Sequence, residues 1–199
     1  MKMATSSGVR LLGAWASPYS VRKFYLVLIH DHKPICESHV ILQYIDEAWA
    51  KKGPSILPSD SYDRDIARFW AAYVIEKWFP AFKELEKADG DEARAAIIGK
   101  IYEGAVFLEE AFMKCTKGKG YFGGDSLGYI DVVLGSFLGW IKLTESGIGM
   151  KIFDEIRTPN LAKWAEIFYS DAAAKDVLPD SQKLVEFYMS NMMVKATKC

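Results

Sequence analysis

Apolar residues follow two different rhythms along this chain. In the first third they come in short blocks: Val9 to Gly13, Leu26 to His30 and Lys33 to Cys36 read as strands. Asp31-His32 turns the second block into the third, although it is a weaker hairpin signal than Asp-Gly. Pro34 has no N–H to give to a ladder, so it predicts an edge or strand-start position. At Ser38, which reads as an N-cap, the rhythm becomes helical. Val40, Ile41, Tyr44, Ile45, Ala48 and Trp49 recur on one face until Gly53-Pro54 stops them. Ser55 to Asp60 reads as a linker, and almost everything beyond it has helical spacing. Ile66, Phe69, Trp70, Tyr73 and Val74 form one face, which Pro80 should kink or end because its ring clashes with the preceding turn. Asp89-Gly90-Asp91 is a break. Ile97, Ile98, Ile101, Ala105, Leu108, Ala111 and Phe112 form the next face, and Gly118, Gly120 and Gly123-Gly124 a loop. A core-like helix is predicted from about Tyr129 to Thr144. Thr158-Pro159 opens another, carrying Leu161, Trp164, Ala165 and Phe168, and a last one covers roughly Ser181 to Val194. The expected class is α/β plus all-α: an α/β unit over 1–53, a linker over 54–60 and an all-helical bundle over 61–199.

Composition narrows the partners. The 199 residues carry 25 basic and 26 acidic side chains, well mixed, with a net charge of −1, so no basic stripe invites nucleic acid. The longest apolar run, Val132 to Ile141, is far short of the ~20 residues a spanning helix needs, and no membrane partner is expected. The N-terminus has no apolar core of a secretory signal. Cys36, Cys115 and Cys199 stand far apart and are odd in number, which argues against a disulfide framework and for a reducing, cytoplasmic setting. His30, His32 and His39 cluster in sequence around a hairpin end, an arrangement without evident ligand geometry, so no metal is expected. Met189, Met192 and Met193 read as filler on a helix face or as a frayed helix end.

Candidate chemistry begins at Leu11-Leu12-Gly13-Ala14-Trp15-Ala16-Ser17-Pro18-Tyr19-Ser20, where a strand-like run turns into a helix start at Ser17-Pro18. Serine is a strong N-cap and proline suits the first helical position. On spacing alone such a start is usually just a cap. Its free N–H groups and partial positive charge nevertheless favour an anion, and a thiolate beside Ser17 would meet both that field and a hydroxyl donor.

Several segments, in order, give this chain a family resemblance. Ala14-Trp15-Ala16-Ser17-Pro18-Tyr19-Ser20, Lys33-Pro34-Ile35-Cys36-Glu37-Ser38, Ile56-Leu57-Pro58, Ala67-Arg68-Phe69-Trp70 and Tyr121-Phe122-Gly123-Gly124-Asp125-Ser126-Leu127-Gly128-Tyr129-Ile130-Asp131 together resemble plant tau-class glutathione transferases over most of the chain. The resemblance implies a thioredoxin-like N-terminal domain followed by an all-helical C-terminal domain. It also implies a cytoplasmic detoxification enzyme that couples the thiol of glutathione, its co-substrate, to hydrophobic electrophiles without a metal or prosthetic group. It makes Ser17 the hydroxyl that hydrogen-bonds the thiolate, and Glu37 and Ser38 the grip on the γ-glutamyl end of glutathione. Asp131 is read as structural: Gly128-Tyr129-Ile130-Asp131 has the form of a capping box. Tyr19, Trp140 and Phe187 are candidates for the electrophile pocket by position, against the plainer reading that large aromatics at helical spacing are core.

The chain departs from the family pattern in its first domain. A βαβ unit takes roughly 30 or more residues, whereas Val9 to Ile29 spans 21. Where the family carries a second strand, a second helix and a cis-proline, this chain reads Phe24-Tyr25-Leu26-Val27. The thioredoxin-like domain is therefore expected to be shortened, to have unpaired strand edges, and to hold glutathione poorly around its cysteine and glycine. The family's homodimer contacts also involve this region. An alternative of another class is a ligandin-like protein that binds apolar ligands in its helical domain without catalysis.

Overall fold

The computed structural model describes residues 2–6, 8–13, 26–50, 52–116 and 118–175. The described residues fall into two compact units that divide between Ser55 and Ile56. The first unit is a four-stranded antiparallel sheet, β1 (Lys2–Ser6), β2 (Val9–Gly13), β3 (Val27–His30) and β4 (Lys33–Cys36), in that spatial order, followed by α1 (Ser38–Ala48). The hydrophobic pattern assigns no element before Val9, yet β1 pairs with β2 from Ser6↔Val9 to Lys2↔Gly13. The turn between them uses Gly8 at φ 87°, a left-handed conformation natural to glycine. A side chain there would also collide with Asp31, whose Oδ1 lies 2.8 Å from the position of a Cβ. β2 is consequently paired on both sides, by β1 and by β3, rather than leaving an open edge.

The β3–β4 hairpin forms on Asp31 and His32, at φ 48° and 67°. Positive φ at both central positions is the type I′ geometry that matches strand twist, and Asp and His are among the side chains that tolerate it best. The Asp31 N–H donates to the Gly8 carbonyl at 2.9 Å, tying this turn to the first one. Pro34 lies on β4, which among the described residues has β3 on one side only. Helix α1 packs against β3 and β4, with Ile41 and Leu28 as the buried residues of helix and strand.

The second unit is helical: α2 (Ser61–Tyr73), α3 (Pro80–Lys87), α4 (Asp91–Thr116), α5 (Tyr129–Gly135), α6 (Leu138–Ile148), α7 (Pro159–Ser170) and α8 (Ala172–Lys175). Asp60 caps α2, its carboxylate accepting the N–H groups of Tyr62 and Asp63. Part of the expected linker belongs to this unit: Leu57 is buried and the Ile56 carbonyl accepts the Tyr129 N–H at 2.8 Å. The break expected at Pro80 takes a definite form. Val74–Trp78 widens into a π-helical turn in which the Phe79 N–H reaches back five residues to Val74, and α3 starts on the proline. The wider turn relieves the clash between a proline ring and the carbonyl four residues earlier. Trp78 then fits beneath α4, its indole donating to the Ile101 carbonyl at 2.9 Å, because Gly104 has no side chain: a Cβ there would lie 2.2 Å from the Trp78 ring.

The single helix predicted from Tyr129 to Thr144 is two helices. Around Phe137 the bonds tighten to three-residue steps, Phe137 N–H to Leu134 and Trp140 N–H to Phe137, so α5 ends at Gly135 and α6 begins at Leu138. The same junction buries Phe137 against Phe79, ring centroids 4.1 Å apart. The core of this unit runs through Leu108, Leu134, Ile141, Leu161 and Trp164, all at most 2% exposed.

Candidate functional site

Among the described site residues, backbone strain falls on the link from β4 into α1. Glu37 has φ 69° and ψ 120°, a conformation that costs a non-glycine residue about 1–3 kcal/mol. Glu37, not Ser38, is the N-cap. Ser38 is the first helical residue, so its hydroxyl is not the cap that the pattern predicts. The reason lies in the hairpin. β4 runs as far as Cys36, leaving one residue to turn the chain into the helix, and the first main-chain bond is Ile41 N–H to the Glu37 carbonyl at 2.8 Å. The Glu37 side chain makes no capping bond and is exposed. The junction thus offers an outward carboxylate beside the N-terminus of an 11-residue helix, a place for an ammonium group and a carboxylate a few ångströms apart.

Ser17, Tyr19 and Phe187 lie outside the described residues. Trp140 is half-buried on α6. Cavities among the described residues of the helical unit include one of about 320 Å³ against α6 beside Leu143, Glu145 and Met150, and one of about 240 Å³ beside Phe112, Thr116 and Trp164. Trp140 lines neither. Among the described residues no group of three or more His, Cys, Asp or Glu side chains has metal-holding geometry, and no helix is long and apolar enough to cross a membrane. His30 is engaged instead with Tyr44, and His32 sits in the hairpin turn.

Asp131 is fully buried at the start of α5. Its carboxylate accepts the N–H groups of Gly128 at 2.8 Å, Gly123 at 2.9 Å and Phe122 at 2.9 Å, and the Trp164 indole N–H at 2.7 Å. The reach back to Gly128 is the carboxylate half of a capping box, and glycine has no side chain to supply the other. Burial pushes this carboxyl above the usual carboxylate range, against the pull of its donors. Two further buried carboxylates have partners too distant in sequence for spacing to reveal. Glu109 accepts the Asn160 and Leu161 N–H groups, and Glu145 those of Ile152 and Phe153.

Tyr121 closes the loop before α5 onto the end of α7, donating to Asp171 at 2.7 Å. Burial, followed by this carboxylate, pushes the Tyr121 phenol up to about 12, and the phenol in turn holds Asp171 below the usual range. A raised tyrosine contributes stability that is complete below its unfolded value near 10 and is lost as pH rises through about 12. A lowered aspartate contributes above its unfolded value near 3.9 and loses this as pH falls through the folded value. Tyr121→Phe is therefore expected to cost about 1 kcal/mol at pH 7. In urea titrations the difference from wild type should shrink at pH 3; a pH-independent difference would rule out this pairing as its source.

A family model described as "Glutathione S-transferase, C-terminal domain" matches residues 91–166. Glutathione S-transferase U17 of Arabidopsis thaliana is 46% identical over 215 residues, covering 92% of this chain and 95% of the relative. The crystal structure of a tau-class glutathione S-transferase from mango, Mangifera indica, superposes with a TM-score of 0.81 at 49% identity, covering 89% of this chain and 82% of that one. The chain belongs to the tau-class glutathione S-transferases. A rice glutathione S-transferase solved in complex with glutathione superposes with a TM-score of 0.75 at 32% identity, covering 87% of this chain and 78% of that one. The architecture of this transferase is accordingly that of its class, a small thioredoxin-like α/β domain followed by a helical domain. The 215-residue alignment with the Arabidopsis transferase is longer than this chain of 199, so that relative carries residues with no counterpart here.

Proposed function

We propose that this transferase binds glutathione by its γ-glutamyl end at Glu37 and Ser38, and that Ser17 stabilises the thiolate for attack on hydrophobic electrophiles. The observation that carries the reading is the Glu37 junction, with its positive φ and uncapped carboxylate at the start of α1. Backbone strain of this kind concentrates at ligand clamps. The Glu37 carboxylate pairs with the ammonium of the γ-glutamyl group, while the helix N-terminus receives its α-carboxylate. A hydroxyl donor from Ser17 lowers the thiol from its free value near 8.5 and raises the fraction present as nucleophile at neutral pH. The electrophile is then attacked by sulfur, with Tyr19, Trp140 and Phe187 as apolar walls. The segment absent from the first domain leaves the cysteine and glycine of glutathione less firmly placed. A 1 Å displacement of a reactant costs about 10²-fold, so conjugation is slow beside that of a longer tau-class relative.

Isothermal titration with glutathione and a conjugation assay on a chromophoric electrophile test this reading. Ser17→Ala is expected to lower kcat by about 10²-fold or more, the loss seen when one donor to a developing anion is removed. Glu37→Gln is expected to weaken glutathione binding about tenfold. A Ser17→Ala protein as fast as wild type would refute the thiolate role. A second reading is non-catalytic ligand binding at the cavity of about 320 Å³ against α6, where Leu143 and Met150 offer apolar surface beside Lys142, Glu145 and Lys151. Dye binding that persists without glutathione, together with no turnover, would decide for it.

A further inference from the structure

We infer that His30, Tyr44 and Trp49 form a clasp that positions the start of α1, and with it Glu37 and Ser38, for glutathione; the inference rests on reading those two residues as the γ-glutamyl anchor. The Nδ1 of His30 on β3 lies 2.6 Å from the Tyr44 hydroxyl on α1. The same imidazole stacks on Trp49, the C-cap of α1, with centroids 4.9 Å apart and planes at 29°. Tyr44 meets both rings edge-on, at 5.8 Å from His30 and 6.1 Å from Trp49. One strand residue thus grips the helix at its middle and at its end.

The helix gains from such a grip because its N-cap side chain supplies no capping bond. It enters through a strained residue whose side chain does not cap it. A strained entry relaxes if the helix tilts, and a tilt carries the first-turn N–H groups away from the place a carboxylate would occupy. Burial of Ile41 and Leu28 sets the separation of helix and sheet, but apolar contact is non-directional. The His30–Tyr44 bond supplies direction. Tyr44 stands six residues beyond Ser38, about 9 Å along the axis, so fixing it fixes the tilt. None of the three residues is assigned a contact with substrate. They act through the geometry of the anchor and are positioning residues.

Three substitutions separate the parts of the clasp. Tyr44→Phe keeps both ring contacts and removes only the hydroxyl. His30→Ala removes bond and stack. His30→Asn places an amide atom where Nδ1 stands and restores the bond alone. By isothermal titration Tyr44→Phe should weaken glutathione binding about fivefold, with kcat at saturating glutathione and KM for the electrophile changed by less than about twofold. His30→Asn should bind glutathione more tightly than His30→Ala. In the free protein, amides 38–41 should exchange hydrogen faster in Tyr44→Phe than in wild type. Glu37→Gln serves as the control for the anchor. If it weakens glutathione binding and Tyr44→Phe does not, the clasp is refuted while the anchor stands. If neither matters, or wild type binds no glutathione, both fall together. A Tyr44→Phe protein whose melting temperature and kcat fall while both KM values rise alike would make the contact merely structural and overturn the inference.

Discussion

Asp131→Ala is expected to cost about 4 kcal/mol of stability, the loss typical of breaking a buried charged network. The substitution leaves four donors without an acceptor: the N–H groups of Phe122, Gly123 and Gly128 and the indole of Trp164. Asp131 is 0% exposed and Trp164 likewise, so water does not readily replace the carboxylate. The loop cannot simply close over the gap, because Gly123 and Gly128 already touch: a Cβ on Gly123 would lie 2.6 Å from the Gly128 nitrogen. Asp131→Asn keeps the volume but turns an amide NH2 toward one set of donors, and should cost about 2–3 kcal/mol. Burial raises the folded-state carboxyl pKa, so the protonation-linked part of its contribution is complete below the unfolded value near 3.9 and is lost as pH rises through the folded value, while the bonds to its four donors carry the loss expected at pH 7. Asp131→Asn removes that titration from the stability curve. Urea unfolding at pH 7 is the measurement, and a loss below about 1 kcal/mol for the alanine variant would contradict the network.

The bond from Gly128 N–H to Asp131 was legible in the sequence because a capping box is local: glycine at the cap and a carboxylate three residues on. Most of the fold was legible for the same reason. Strand blocks, proline stops and a 3.6-residue period are short-range patterns, and Pro80, Gly90 and Pro159 each punctuate the chain where an element changes. What the pattern misplaced involves contacts or strain. Ser38 is the residue type that caps helices, but the one-residue link after β4 hands the cap to Glu37 at a positive φ no propensity favours. The split between α5 and α6 is invisible in a run that is apolar on all sides, where periodicity gives no break. Strand β1 is short and polar at Thr5 and Ser6, and becomes a strand because β2 offers it a partner. At the site, the resemblance picks out Glu37 and Ser38, but nothing in the spacing connects His30 to Tyr44, 14 residues away on another element.

Glu109 shows how far such long-range needs can hide, and its removal should be the second large effect. It lies on α4 beside Leu108, whose side chain is fully buried, yet Glu109 is itself only 4% exposed. Its Oε1 accepts the Asn160 N–H at 3.0 Å and the Asn160 side-chain amide at 2.6 Å, while Oε2 accepts the Leu161 N–H at 2.8 Å. These donors stand in the first turn of α7, whose own N-cap, Thr158, makes no side-chain cap bond to the helix. Thr158 instead spends its hydroxyl on the preceding loop, accepting the Asp154 N–H at 2.9 Å. A residue 51 positions earlier thus does the work of the cap and pins α7 to α4. Glu109→Ala should cost about 3 kcal/mol, since it strands three donors and empties a packed site. Glu109→Gln should cost about 1–2 kcal/mol, because it keeps one oxygen and fills the space. The effect should appear first in α7: hydrogen exchange of amides 160–163 should rise in Glu109→Ala before global unfolding, at denaturant concentrations where α4 is still protected. Uniform loss of protection across both helices would mean that Glu109 supports the core as a whole rather than the start of α7.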